Sequence, residues 1–443
     1  MKRLLISILI FSKLNAQPIV FPLKQSNDKH YIVDQNNKPV FLKGCAAWRL
    51  GYNVSLNDSK KFLAHRKSKG FNALIVEIKP DDPNKGGDVA NVYDEHCFID
   101  KDVSEPNEKF FQHCDSILQL CSDMHFVVVL FPLYLGCCHD GWLEILQQSP
   151  NTPEKCKQYG VWVANRYKHF SNLVWASGGD HNETPESVAF AEGIASVDTT
   201  HLHIYHTNPA YTSTERLGKR NLLTLSSIYT YFPAMNVEEY HVYGQIYNET
   251  LRNNYIPYVM LESAYEYERN EITQTLRRQA YWSLLSHASG HFFGNRDLWM
   301  MDDNWANALN TPGNKSMEIF HVFVDSIPWQ KMKPDWVNMM FVSGRGEFNS
   351  GTTPGGDEYA TAAYTDDSSL AILYMPTYRK VAANMSRFNK DVYATWFDPS
   401  SGKYYADKKN YNNNAVAYFQ PPMFNNAQGF DDWVLILKTK KDE

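Results

Sequence analysis

The chain has 443 residues, more than one average domain, and 43% of them are hydrophobic, enough to bury a barrel-sized core and a smaller module. Lys and Arg total 43 against 49 Asp and Glu, which gives a net charge of −6, and the basic residues are scattered along the chain. Nucleic-acid binding needs basic residues gathered on one face, so the composition argues against a nucleic-acid partner.

The first residues have the layout of a secretory signal peptide. Lys2 and Arg3 precede an apolar run over 4–11, and the small Ala16 comes before Gln17. The run is far shorter than the about 20 residues that cross a bilayer, and no later stretch is long enough. We therefore expect a signal peptide over 1–16, no integral membrane segment, and a secreted or periplasmic protein.

Strand and helix patterns alternate through the next part of the chain. A hairpin is predicted over 31–42, strands near residues 40, 71, 126, 173, 202, 222, 258 and 290, and helices over 58–69, 107–124, 152–169, 238–252 and 271–287. Eight strands that alternate with helices predict an α/β fold of the (β/α)8 TIM-barrel type, because that number closes the sheet without an edge. This domain is assigned to 17–334.

From about Trp336 the pattern changes to short alternating runs separated by turn residues. They lie over 359–364, 370–374, 392–397, 415–419 and 433–437. This predicts a small C-terminal antiparallel β-sandwich over 335–443, with residues 328–334 as the joint.

All seven cysteines lie in the first third of the chain, at positions 45, 97, 114, 121, 137, 138 and 156. An odd number of cysteines in an exported protein is compatible with one or two disulfides, and the sequence does not predict which cysteines pair. Cys114 and Cys121 share a helix face but are too far apart to bond, so packing is the expected role. No CxxC spacing is present, and no metal site is expected from the cysteines.

Two of the apolar strand runs end on a carboxylate, Asp180 after 173–177 and Glu262 after 258–261. Barrel enzymes carry their chemistry at the C-terminal ends of the strands. Glycosidic bonds are hydrolysed by two carboxyl groups, about 5–5.5 Å apart for retention and about 6.5–9.5 Å for inversion. We assign Asp180 as general acid/base, because Gly178 and Gly179 let the backbone approach a ligand, and Glu262 as nucleophile.

Other residues at or just past strand ends are candidates for contacts with a sugar substrate. An imidazole at the barrel mouth could bond either carboxylate, so the two histidines rank first among them. No cofactor and no metal is required by this chemistry. The set is Trp48, Trp175, Asn182, His206, Ser226, Ser227, Tyr229, Glu266, His291, Asn295 and Trp299.

Six stretches in order resemble the apiosidase-like glycoside hydrolases: 38–48 (KPVFLKGCAAW), 69–72 (KGFN), 174–182 (VWASGGDHN), 278–282 (RQAYW), 288–295 (ASGHFFGN) and 396–399 (WFDP). The resemblance implies a (β/α)8 barrel followed by a sandwich of collagen-binding type. It also implies a retaining hydrolase of plant-type polysaccharide side chains, with apiosides as the characterised substrate, Asp180 as acid/base and Glu262 as nucleophile.

The chain departs from the family pattern in two places. The family's first strand usually reads Gly-Asp-Thr-Ala-Trp, whereas Cys45 and Ala46 replace its Asp and Thr here, so a polar first-strand contact to sugar is expected to be missing. The usual Gly-Glu-Pro of strand 7 is Leu261-Glu262-Ser263. These changes concern the substrate more than the reaction class.

Four alternatives to a catalytically active glycoside hydrolase are considered from the sequence. The pair His201 and His203 suggests a metal hydrolase, although such enzymes carry the pair on strand 1 with further ligands. Ser226 lacks the Gly-x-Ser-x-Gly elbow of serine hydrolases. A non-catalytic glycan- or collagen-type binding protein is one rival, and a hydrolase fold that has lost activity, as the Cys45 substitution would allow, is another.

Overall fold

The computed structural model describes residues 18–78, 88–136, 141–209, 211–218, 220–230, 242–251, 256–269, 271–346 and 358–440. The predicted signal peptide, Cys137 and Cys138 lie outside the described residues. Ahead of the barrel, the short strands Lys24–Gln25 and Ile32–Val33 pair antiparallel, and Val33 bridges Pro39 around the predicted turn.

Eight parallel strands form the barrel, as the sequence predicted. In chain order they are Leu42–Ala46, Ala73–Glu77, Val127–Phe131, Leu173–Gly178, Leu202–His206, Ser226–Tyr229, Tyr258–Glu262 and Gly290–Phe293, here called barrel strands 1 to 8. Each is buried on both faces, which explains why the strands appear in the sequence as continuous apolar runs.

Side chains alternate between the inside and the outside of the barrel along each strand. Val127, Val129 and Phe131 of barrel strand 3 belong to the interior cluster, whereas Val128 and Leu130 pack outward against the helices. A residue at the C-terminal end of a regular strand therefore faces the mouth if it has the parity of that strand's inward residues, that is, if it lies an even number of positions from them. Glu262 departs from this rule: it has the parity of the outward Met260, and the register between barrel strands 6 and 7 shifts just before it.

The helices are α1 (Leu56–Ser68), α2 (Glu108–Asp123), α3 (Leu143–Leu146), α4 (Pro153–Tyr167), α5 (Pro185–Val197), α6 (Ser213–Leu217), α7 (Val242–Leu251), α8 (Thr273–Leu285), α9 (Arg296–Met300) and α10 (Pro312–Asp325). Asn107 caps α2, and Thr152 caps α4 ahead of Pro153. In addition, α5 and α10 begin with Thr-Pro pairs that the sequence analysis missed.

Barrel strands 5 and 6 meet through side chains. The Ser227 hydroxyl donates to the Tyr205 carbonyl at 2.7 Å, and the Ser213 hydroxyl oxygen accepts from the Ser227 N–H at 2.7 Å. Barrel strand 6 was predicted near residue 222, but Leu222 and Leu223 pack instead against a small cluster outside the barrel. The strand therefore begins four residues later, at Ser226, which changes which residues reach the mouth.

The C-terminal part is an antiparallel sandwich around its own apolar core. Its larger sheet contains Met332–Pro334, Thr361–Thr365, Leu370–Met375, Val392–Phe397, Tyr404–Tyr411 and Trp433–Thr439, and its smaller sheet contains Phe341–Ser343, Val381–Asn384 and Val416–Phe419. Because Met332–Pro334 pairs within the sandwich, strand pairing puts the start of this domain at Met332.

The sandwich packs on α8 of the barrel. Arg277 of α8 donates from Nε and one terminal nitrogen to both oxygens of Asp432, each at 2.8 Å, and both side chains are 0% exposed. The rings of Tyr281 and Tyr374 stack with their centroids 4.9 Å apart. The two domains therefore share a buried interface.

Four of the cysteines, Cys45, Cys114, Cys121 and Cys156, are buried free thiols, so none of them forms a disulfide. Cys114 and Cys121 pack in the core from one face of α2, as predicted. In the described part of the chain, no helix has the length and apolarity needed to cross a bilayer.

Candidate active site

The turn after barrel strand 4 brings Asp180 back toward the barrel. Gly178, Gly179 and Asp180 all have positive φ, at 87°, 120° and 50°. A Cβ on Gly178 would lie 2.2 Å from the His206 carbonyl oxygen, and one on Gly179 would lie 2.3 Å from the Tyr134 ring. Both glycines are therefore required, and Asp180 adopts the left-handed backbone conformation that Asp tolerates better than most residues.

His206 ends barrel strand 5 and lies between the two carboxylates. Its Nδ1 accepts the backbone N–H of Asp180 at 3.3 Å and lies 3.8 Å from an Asp180 carboxylate oxygen. Its Nε2 lies 2.9 Å from Glu262 Oε2, at an angle that does not satisfy a hydrogen bond. Burial lowers the pKa of His206 to about 4 despite the opposing effect of Asp180, so the ring is neutral near pH 7, with its proton on Nε2.

Asp180 and Glu262 come together in the mouth of the barrel, as the sequence analysis expected. One oxygen from each carboxylate and one nitrogen of His206 all lie within 4.8 Å of one another. Glu262 is the last residue of barrel strand 7 and is buried, whereas Asp180 is partly accessible. Two carboxylates at this separation match the spacing of a retaining glycosidase more closely than that of an inverting one.

Aromatic rings surround His206. The ring centroids of Tyr229, Phe131, Trp48 and Tyr134 lie 4.6, 5.9, 6.0 and 6.4 Å from that of the imidazole. The indole N–H of Trp48 donates to the Tyr265 hydroxyl at 2.7 Å. Trp48 and Tyr229 were predicted as site residues and lie here. Phe131 and Tyr134 were missed, although they follow an apolar strand in the same way.

A third strand-end carboxylate was also missed. Glu77 is the last residue of barrel strand 2, pairs in register with Phe131, and is buried. Its parity matches Ala73 and Ile75, which belong to the interior cluster, so Glu77 enters the mouth. The signal was available, because residues 73–76 form an apolar run that ends on an acid just as the other two runs do.

Trp175 and His291 lie outside the barrel, contrary to their prediction as sugar contacts. The indole N–H of Trp175 donates to Asp198 Oδ2 at 2.8 Å in the outer layer. His291 pairs with Met260, two residues before Glu262, and packs against Phe320 of α10. Each residue is on the outward parity of its strand, which a linear pattern did not reveal.

The two predicted serines, Ser226 and Ser227, are part of the barrel framework and do not line its mouth. Ser226 opens barrel strand 6 opposite Tyr258, so it lies at the N-terminal end of the barrel. Ser227 is fully buried in the contact between barrel strands 5 and 6. Both predictions were wrong because the strand begins later than expected.

The remaining candidates lie in loops and in the short helix α9 on the C-terminal side of the barrel. Glu266 is buried and accepts from Asn295 at 2.8 Å, Thr311 at 2.5 Å and the Gly313 N–H at 2.7 Å, so Glu266 and Asn295 tie loops together. Trp299 packs beside the interior cluster and donates to Glu268 at 2.5 Å. Asn182 follows Asp180 and has a buried side-chain oxygen with no partner in the described structure, so it can accept from a ligand.

Cys45 points away from the mouth, so its substitution removes no contact to sugar. It lies in the outer apolar layer, and the adjacent Ala46 faces the interior. The thiol lies against the buried guanidinium of Arg66 in α1, and burial raises the pKa of Cys45. An acid at position 45 would face Arg66 and not the mouth, so the Cys45 substitution does not account for the expected loss of a first-strand contact, whereas Ala46 is on the inward face.

His201 and His203 are held by Asp198 and do not form a metal site. His201 Nδ1 lies 2.5 Å from Asp198 Oδ2, and His203 Nε2 lies 2.9 Å from the Asp198 carbonyl oxygen. Among the described residues, the three that could share a metal ion are Asp180, His206 and Glu262. The same donor set suits general acid/base and nucleophilic chemistry without an ion.

Comparisons with known families agree with the two-part architecture of the chain. The family model described as "Apiosidase-like, catalytic domain" matches residues 26–331. A second model, described as "Putative collagen-binding domain of a collagenase", matches residues 351–438. No curated protein matches the sequence.

Three solved structures share the fold. A protein titled glycoside hydrolase has a TM-score of 0.81 at 19% identity and covers 96% of this chain and 100% of its own. A glycoside hydrolase family 5 protein from Bacteroides vulgatus has a TM-score of 0.80 at 20% identity and covers 94% and 93%. An endo-β-1,4-mannanase from Thermotoga petrophila has a TM-score of 0.51 at 11% identity and covers 92% and 99%.

Proposed function

This chain belongs to the apiosidase-like family and is a glycoside hydrolase, and on that premise we propose that it cleaves glycosidic bonds with retention. Asp180 is the general acid/base and Glu262 the nucleophile. The observation that carries the proposal is the approach of their carboxylate oxygens to within 4.8 Å, one from each of two strand ends.

The reaction takes two steps. Glu262 attacks the anomeric carbon and forms a glycosyl-enzyme ester, while Asp180 gives its proton to the leaving oxygen. Asp180 then takes a proton from water, which attacks the same carbon and releases Glu262. Asp180 is partly accessible, which suits an acid/base that contacts both the leaving group and water. Glu262 is buried, which suits a nucleophile that reacts only with the anomeric carbon.

His206 lies between the two carboxylates without adding charge. Its pKa of about 4 keeps it neutral near pH 7, so its Nδ1 holds the Asp180 backbone and its Nε2 lies 2.9 Å from Glu262 Oε2. A cationic imidazole at this position would stabilise the carboxylate form of Asp180 and oppose its role as acid.

The substrate we propose is a polysaccharide or oligosaccharide side chain, with apiosides as the first class to test. Trp48 and Tyr229 supply apolar ring faces, and Glu77 supplies a carboxylate that can accept sugar hydroxyls at the mouth. The signal-peptide pattern over 1–16 supports action outside the cytoplasm, where an enzyme can reach a polysaccharide substrate.

The test is hydrolysis of a panel of plant and microbial polysaccharides, with product anomers followed by NMR. We expect retention, and we expect Glu262→Gln and Asp180→Asn each to abolish turnover while circular dichroism stays unchanged. Asp180→Asn should still release good leaving groups from aryl glycosides, because they need no proton. The control is the exposed Asp325→Asn. Inverted products, or near-normal turnover by either site variant, would contradict the assignment.

A further inference from the structure

Five side chains form a cluster on the smaller sheet of the sandwich and its loops, here called the aromatic patch: the half-buried Tyr378 and the exposed Lys380, Tyr418, Gln420 and Phe424. Phe424 and Tyr418 are 62% and 61% exposed. The ring centroids of Tyr378 and Phe424 are 5.0 Å apart, and Gln420 donates to the Tyr378 hydroxyl at 2.7 Å. Lys380 Nζ lies 4.7 Å from the centre of the Tyr418 ring.

The aromatic patch lies beside the N-terminal end of α8. Gln274 in the first turn of that helix donates to the Pro376 carbonyl at 2.8 Å and to Asp431 at 2.9 Å. The other oxygen of Asp431 accepts the N–H of Tyr378 at 3.1 Å. These bonds attach the loop that carries Tyr378 to the start of α8.

That end of α8 is on the catalytic side of the barrel. The helix begins at Thr273, 273 − 262 = 11 residues after Glu262, and the helix that follows a barrel strand starts at the face where the strand ends. The distance from barrel strand 7 to α8 and the distance from α8 to the sandwich are each about one packing layer, roughly 10 Å. The aromatic patch therefore lies on the order of 20 Å from the carboxylates. The buried Arg277–Asp432 pair joins the sandwich to the same helix.

We propose that the aromatic patch is a second carbohydrate-binding site, which holds a remote stretch of the polymer whose glycosidic bond lies between Asp180 and Glu262. This inference rests on the proposed function. Exposed ring faces suit the apolar faces of sugar rings, and the adjacent amide, hydroxyl and ammonium groups suit sugar hydroxyls. Binding at both sites raises the effective concentration of the polymer at the mouth.

The composition of the patch favours a glycan over a protein partner. Gln420 contacts the hydroxyl of Tyr378, and Lys380 covers Tyr418, so polar groups divide the exposed rings. A protein interface has a continuous apolar centre with polar groups at its rim, which this arrangement does not provide.

The test uses the full chain carrying Glu262→Gln, in native gels that contain homogalacturonan, rhamnogalacturonan II, galactomannan or arabinoxylan, with gels that contain type I collagen for comparison. We expect at least one polysaccharide to retard migration, Phe424→Ala to abolish the retardation, and Tyr393→Ala to keep it. Tyr393 is a matched control, because it is a 54% exposed tyrosine elsewhere in the sandwich. In the active enzyme, Phe424→Ala should raise KM for the polymer by about three- to tenfold and leave kinetics on a small aryl glycoside unchanged.

Three results would overturn the second site: no retardation in any polysaccharide gel, equal retardation with and without Phe424, or retardation only in gels with type I collagen. Failure of the proposed function would look different, since no substrate would be hydrolysed while retardation by polysaccharide persisted.

Discussion

The buried pair between α8 and the sandwich leads to a quantitative prediction. In Asp432→Asn the volume is kept, but the charge opposite Arg277 is lost. Asp432 Oδ1 accepts from Arg277 and Asn426 at 2.8 Å each, and Oδ2 accepts from Arg277 at 2.8 Å and Tyr374 at 3.3 Å. Each carboxylate oxygen accepts from one nitrogen of Arg277, so the amide nitrogen of Asn faces a guanidinium N–H in either orientation.

The expected loss follows from that environment. Removing one partner of a fully buried ion pair leaves a charge without compensation and costs about 3–5 kcal/mol of the free energy of unfolding. Arg277 keeps contacts to Ser316 and Gln428, at 3.2 and 2.9 Å, which do not neutralise its charge. We therefore expect a loss of about 4 kcal/mol.

The assay is urea unfolding followed by tryptophan fluorescence, with the m value compared between variants. The control is Asp366→Asn, which breaks a 2.8 Å pair with Lys333 whose side chains are 67% and 60% exposed. Solvent screens such a pair, so its loss should cost less than about 1 kcal/mol. A loss in Asp432→Asn no greater than in the control would refute the reasoning.

Three further predictions concern single side chains. Burial lowers the pKa of His291 to about 3, whereas the pKa of an unfolded His is about 6.5. Between about pH 6.5 and pH 3 the unfolded chain therefore binds a proton at His291 that the folded chain does not bind, so the free energy of unfolding falls as the pH falls through this range. In urea series between pH 5 and 4, His291→Gln should lose about 1.4 kcal/mol less per pH unit than the wild type, and an unchanged slope would argue against a buried neutral ring. Cys45→Ser should leave kcat/KM within about threefold, because the thiol faces outward; a larger loss would restore a role for it in the site. Trp48→Phe should lower kcat/KM about tenfold or more through its contact with His206, whereas Trp175→Phe should cost about 1 kcal/mol of stability and no activity, and equal kinetic losses would contradict this placement.

Much of the fold could be predicted because its signals are local. Parallel strands buried on both faces produce apolar runs, and turn residues and caps separate them, so seven of the eight strands were found close to their observed positions. Barrel strand 6 was misplaced because Leu222 and Leu223 form an equally apolar run that packs outside the barrel. In the sandwich, the strand Tyr404–Tyr411 was missed because charged and amide side chains interrupt its apolar pattern.

The candidate site was predictable in part for the same reason. An acid that ends an apolar strand is visible in the chain, and this pointed to Asp180 and Glu262. The same pattern at Glu77 was overlooked. A side chain points into or out of the barrel according to its position in the register with the neighbouring strands, and a shift of one residue reverses that direction. Trp175 and His291 were placed wrongly for this reason.

The sequence by itself determined the order and kind of elements, the number of barrel strands and the two acids at strand ends, because these depend on residues close together in the chain. Tertiary structure decided what depends on residues far apart: the neutral His206 between the carboxylates, the Ser213 contact between barrel strands 5 and 6, and the Arg277–Asp432 pair that joins the domains. Burial and long-range pairing produce these features, and neither is a property of a local segment.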